Sequence, residues 1–228
     1  MNQPEPAVHT SQSCYIEHAS QPELLTCLSQ YKGLIFDMDG TLLDTMPAHV
    51  ASWKKASEHF GFPFTAQWLH SMGGMPSIKV VGEINRRFGL CLNPHDVSQF
   101  KQDVFRLLDN QYQRIALTCD ILEQAYGERK LAVGTGSHRD NALSLLENAG
   151  LLDKLDTVIT ASDVENHKPH PDTFLKACHH IQLKPKECVV FEDTDLGKQA
   201  AHAAGMDCFL VTGHGLIFYP LTDEISTE

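Results

Sequence analysis

The chain has 228 residues, 42% of them hydrophobic and 21% charged, a balance that suits a folded core carrying a smaller insert and excludes a disordered tail or a fibre. With 29 acidic against 18 basic residues the formal charge is −11; no basic cluster interrupts that excess, so neither nucleic acid nor a membrane surface is an expected partner. Seven cysteines without a C-x-x-C pair argue against a disulfide framework or a zinc site and for a reduced, cytoplasmic setting.

Residues 1–30 are polar and begin Met1-Asn2-Gln3-Pro4-Glu5-Pro6, with neither a basic start nor an apolar stretch. They read as an N-terminal extension and not as a secretion signal, with a short helix predicted only over 22–28. Gly33-Leu34-Ile35-Phe36 is a continuous apolar run that ends in Asp37-Met38-Asp39-Gly40-Thr41, the pattern of a buried strand feeding a loop. Thr45 is placed to cap a helix with Pro47 in its first turn, a stripe at Val50, Trp53, Ser57 and Phe60, and Gly61 as its stop. Through residue 127 the pattern stays helical, with stripes Val80-Val81-Ile84-Phe88 and Phe100-Val104-Leu107-Leu108 and no strand signal. Strands then return at 131–134, 157–159, 188–191 and 208–211, separated by predicted helices. The first of these helices carries Leu143, Leu146 and Ala149 on one face, with Ser137 and Asp140 spaced as a capping box and Gly150 as stop. The others span 173–180 and 197–204. Such alternation predicts an α/β fold, a doubly wound parallel sheet of Rossmann-like type. The expected domains are a core over 31–46 and 128–228 and an inserted helical cap over 47–127. The apolar runs are too short to cross a bilayer.

In open parallel sheets ligands sit at the carboxyl ends of the strands, and that is where the unusual side chains fall. Asp37 and Asp39 follow the first strand of the core. One carboxylate of such a pair can attack phosphorus while the other gives and recovers a proton, although two acids beside a glycine also make an ordinary solvated turn. Glu192 and Asp193 follow a second strand and offer hard oxygen ligands opposite the first pair, which describes a Mg2+ site; helix capping is the plainer alternative. Thr135 and Gly136 precede a helix and form a phosphate seat. Lys168 is stiffened by the prolines of His167-Lys168-Pro169-His170-Pro171 and can bind phosphate. The histidines 167, 170, 179, 180 and 202 lack zinc-site spacing, the glycines at 73–74 and 134–136 match no nucleotide-binding motif, and Ser71 and Ser137 lack a nucleophile elbow.

These motifs together resemble the haloacid dehalogenase-like phosphatase superfamily over residues 33–211, in the helical-cap group that contains β-phosphoglucomutase and the bacterial fructose-1-phosphate phosphatases. The stretches that carry the resemblance are Ile35-Phe36-Asp37-Met38-Asp39-Gly40-Thr41, Val133-Gly134-Thr135-Gly136-Ser137, His167-Lys168-Pro169 and Val190-Phe191-Glu192-Asp193-Thr194. The resemblance implies that Asp37 is the nucleophile, Asp39 the general acid/base, and Thr135, Gly136 and Lys168 the phosphate binders. It also implies magnesium held by Asp37, the Asp39 carbonyl and Asp193, with Glu192 close by. His49 and Thr45 match cap-side substrate positions. The segment Gly73-Gly74-Met75-Pro76-Ser77 lacks the arginine with which the mutase grips a second phosphate. A phosphatase acting on a small phosphorylated metabolite, as a monomer or weak oligomer, is therefore expected. A mutase is the runner-up, and a catalytically silent binding module is the alternative of another class.

Overall fold

The computed structural model describes residues 14–17, 21–108 and 112–221. The strands are β1 (Cys14–Glu17), β2 (Gly33–Phe36), β3 (Lys130–Gly134), β4 (Thr157–Ile159), β5 (Cys188–Glu192), β6 (Asp207–Thr212) and β7 (Gly215–Tyr219). They form one sheet in the order β1-β7-β6-β5-β2-β3-β4, parallel from β6 to β4 and antiparallel at β7 and β1. The α/β class follows from burial: every residue of β2 and of β5 is buried, as apolar strands covered by helices on both faces must be.

Alternation along the strands assigns the two faces. Leu34, Phe36, Leu131, Val133, Val189, Phe191 and Phe209 enter one core with the helices α1 (Gln21–Leu28), α6 (Ala116–Ala125) and α7 (Arg139–Asn148). Ile35, Ala132, Val190 and Cys208 enter the other with α8 (Asp172–His180) and α9 (Asp195–Ala203). On the first face Phe36, Phe191 and Phe209 stack in a row with centroids 4.7 and 5.2 Å apart. Pairing of Phe36 with both Phe191 and Val133 brings the ends of β2, β5 and β3 to one level. That register positions the site.

Between β2 and β3 lie α2 (Met46–Phe60), α3 (Ala66–His70), α4 (Ser77–Phe88), α5 (Pro94–Leu107) and α6. The first four share a core of their own around Trp53, Leu69, Val81, Ile84 and Val97. α6 instead buries Cys119, Ile121 and Leu122 beside the sheet. Among the described residues no helix is long and apolar enough to cross a membrane.

The structure corrects four local expectations. Part of the segment read as an extension joins the fold: β1 pairs with β7, and Leu24 and Leu28 of α1 are buried. The strand β7 was not foreseen; Thr212-Gly213-His214-Gly215 makes the tight turn that joins it antiparallel to β6. In α5 the buried residues are Val97, Ser98, Lys101 and Phe105; of the expected stripe Phe100 packs against the α2–α5 core and Leu108 against the sheet core, but Leu107 is 87% exposed. In α7 the buried residues are Ala142, Leu145 and Leu146 with no capping box, because the Ser137 hydroxyl is engaged elsewhere.

Candidate active site

Four chain segments meet at the carboxyl ends of the central strands. Asp37 follows β2, and its N–H donates to the Phe191 carbonyl at 2.8 Å. Glu192 closes β5 and Asp193 follows it. Carboxylate oxygens of Asp37, Glu192 and Asp193 all lie within 4.8 Å of one another. Gly40, at φ +88°, lets the two acidic loops approach this closely, since a Cβ there would run into the Asp193 carboxylate. Lys168, brought in by the loop before α8, donates to Asp37 Oδ1 at 2.5 Å and to Glu192 Oε1 at 2.6 Å.

Glu192 is fully engaged, since it also accepts from the Thr194 N–H at 2.7 Å and the Thr194 hydroxyl at 2.8 Å. Its carboxylate brackets Lys168 and does not point free into the cavity. The capping role considered for this acid falls to Thr194, whose hydroxyl accepts from the Gly197 N–H.

Two buried carboxylates and the half-buried Asp193 stand around one ammonium, and the electrostatics record the imbalance. Burial raises the Asp37 carboxyl well above the ordinary carboxylate range; Glu192, Asp193 and Asp39 add to the rise, and Lys168 only opposes it. Burial and Glu192 push Asp193 up to about 8. Lys168, whose charge burial disfavours, is held above its ordinary value by Asp37 and Glu192. A cluster of hard oxygen donors short of positive charge fits a divalent cation, which would relieve it.

Asp39 is held quite differently. Its Oδ1 accepts from the Thr45 hydroxyl at 2.7 Å and lies 3.2 Å from His49 Nε2; its Oδ2 accepts from the Ser137 hydroxyl at 2.8 Å and the Thr135 hydroxyl at 3.2 Å. Burial works to raise its pKa, but these bonds, with His49 foremost, hold it below the usual carboxylate range. Thr45 stands at the start of α2 without capping it, because its hydroxyl is spent on Asp39. Two residues escaped the sequence reading. Ser137 looked like a helix cap. Lys101, buried on α5, has Nζ 2.7 Å from His49 Nδ1 and is lowered to about 8 by burial, with Asp39 opposing. Its signal was available: a lysine one turn after Val97 and one turn before Phe105, on the buried face. His49 in turn stacks on Phe105 with centroids 4.5 Å apart.

A cavity of about 100 Å³ opens above both aspartates, between the sheet and α2–α5. Gly136 lies on its wall, and a Cβ there would collide with the Gly74 carbonyl. Thr135 lies beneath it, 1% exposed.

The sequence profile of the haloacid dehalogenase-like hydrolases matches residues 34–211. The chain belongs to this family. It is 40% identical over 179 residues to a fructose-1-phosphate phosphatase of Escherichia coli, covering 78% of this chain and 95% of that one. It is 25% identical over 190 residues to a beta-phosphoglucomutase of Bacillus subtilis, covering 77% and 80%. A crystal structure of a hydrolase from Pseudomonas syringae superposes with a TM-score of 0.72 at 27% identity over 78% of this chain and 83% of that one. Within the haloacid dehalogenase-like hydrolases the chain is a phosphoric monoester hydrolase.

Proposed function

We propose that the protein is a magnesium-dependent phosphatase acting on a small phosphorylated metabolite, a sugar phosphate such as fructose 1-phosphate, through an aspartyl-phosphate on Asp37. The observation that carries the reading is the division of labour between two aspartates one residue apart. Asp37 sits among acids and Lys168, whereas Asp39 is clasped by four side chains and faces the same cavity.

Asp37 and Asp193 would hold the magnesium ion together with the Asp39 carbonyl. When bound, the ion supplies positive charge that keeps Asp37 ionised and offsets the charge of the phosphate oxygens. Asp39, ionised in the free protein, takes up a proton from solvent as the anionic phosphate enters beside it; a carboxylate oxygen of Asp37 then attacks phosphorus in line, the bond from phosphorus to the sugar oxygen breaks, and that oxygen takes the proton from Asp39. Water then attacks the acyl phosphate and gives its proton to Asp39, releasing phosphate and restoring Asp37. Lys168, with Gly136 and Thr135 at the neighbouring strand end, holds the phosphoryl oxygens during both steps. Thr45, His49 and Ser137 fix the Asp39 carboxyl between proton donor and acceptor, while Thr135 turns its one hydroxyl proton from Asp39 to the phosphoryl group. Of the residues 47–127 expected as a cap, α2 to α5 form the cap of this scheme and exclude bulk water from the cavity, while α6 packs beside the sheet with the core.

Phosphate release from fructose 1-phosphate and from para-nitrophenyl phosphate, with Mg2+ and with chelator, tests the reading. Turnover should need the ion and should vanish in Asp37→Asn, which stays folded by thermal unfolding. Full activity in that variant rejects the covalent scheme. The mutase reading draws on the Bacillus relative; it requires interconversion of glucose 1- and 6-phosphates without net phosphate release once a sugar bisphosphate is added.

A further inference from the structure

The cavity above the aspartates has two chemically different walls. One, from α2 to α4, is apolar and includes Trp53, Leu69, Met72 and Val80. The other is polar, with Gln102 and Arg106 from α5 facing His138 and Asn141 at the start of α7. None of these four side chains hydrogen-bonds to Asp37, Asp39, Lys168, Glu192 or Asp193.

The polar wall carries little free charge. Lys101, its buried cation, is bonded to His49. Arg106 is paired with Asp103, Nη1 to Oδ1 3.1 Å. The segment 73–77 brings no arginine. Besides the His138 ring, what remains unspent on this wall are two carboxamides. Asn141 is half-buried and bonds no partner among the described residues. Gln102 makes one long bond, 3.4 Å to the Ser98 hydroxyl, and leaves its carbonyl oxygen open. A carboxamide both donates and accepts, as a hydroxyl does, and a half-buried one gains by finding such a partner.

We propose that Gln102 and Asn141 are the specificity-determining pair of this enzyme, reading the hydroxyls of an uncharged polyol tail while its C–H face lies against Trp53 and Val80. The inference rests on the phosphatase reading and narrows it. The substrate is a monophosphate of a polyhydroxylated molecule, and a second phosphate on the tail is disfavoured because no unpaired cation awaits it.

The test uses the full chain with Mg2+ and the variants Gln102→Leu, Asn141→Leu and their combination. kcat and KM are measured for a panel of sugar monophosphates, for fructose 1,6-bisphosphate and for para-nitrophenyl phosphate. For the best sugar substrate, the ratio of its kcat/KM to that of the aryl phosphate should fall about tenfold in each single variant, the worth of one hydrogen bond, and mainly through KM. The wild type should also prefer the monophosphate to the bisphosphate. Equal losses on sugar and aryl substrates, an unchanged ratio, or preference for the bisphosphate overturns the assignment. A wild type that hydrolyses the aryl phosphate and no sugar phosphate also overturns it but leaves the phosphatase reading standing. Release of phosphate from no substrate overturns both.

Discussion

Lys168 keeps its ammonium buried between two carboxylates, with 1% of its side chain exposed. Removing one partner of such a group leaves the others uncompensated, which costs far more than the pair contributes when intact. Lys168→Met should therefore lose about 3–5 kcal/mol of stability in the metal-free protein and on the order of 10²–10³ in turnover. Thermal unfolding with and without Mg2+ checks the first number, and the added ion should return part of the loss. Lys101 gives a pH signature. Its pKa is about 8 when folded against 10.5 when free, so between those values the unfolded chain holds a proton that the folded chain has released. Stability then rises with pH across that window, by up to about 1.4 kcal/mol per unit. The difference in unfolding free energy between the wild type and Lys101→Met should grow in favour of the wild type from pH 8 to 10.5. A flat difference would show that Lys101 stays charged in the folded protein.

At the scale of elements, what the sequence disclosed depended on how local the cause was. The central strands were legible because four or five consecutive apolar residues bounded by acids and glycines have few other places to go. Asp37, Asp39 and Asp193 were legible for the same reason, since each lies next to a strand end. On α5 Lys101 was missed and Leu107 wrongly placed inward because Leu107 is apolar whereas Lys101 is not, and helix rotation is decided by what α2 offers it: His49 accepts the lysine, and Phe105 covers the imidazole. Ser137 was misassigned because one hydroxyl can cap a helix or bond a carboxylate, and only the position of Asp39 settles the choice. The contact of Gly136 with the Gly74 carbonyl was invisible for a similar reason, as it joins segments 62 residues apart in sequence. Gly136→Ala should push the 73–77 segment off the strand ends. We expect kcat/KM to fall by roughly 10²-fold, as for misplacement of about an ångström, with the melting temperature nearly unchanged. A large drop in melting temperature would mean that the collision is absorbed by the sheet and not by this segment.

Over the whole molecule, the sheet has two rims. One is β4, three residues long and followed by a capped turn at Thr160. The other is β1, four residues that pair antiparallel with β7 from Cys14↔Phe218 to Glu17↔Gly215. A chain lacking its first twenty residues would leave one flank of Gly215-Leu216-Ile217-Phe218 with bare amides and carbonyls, an adhesive border open to another copy. Such a truncated enzyme should keep its chemistry when dilute and drift to higher mass in sedimentation as concentration rises. The short strand β1 thus serves as a selvedge: it finishes the woven edge so that molecules do not knit together.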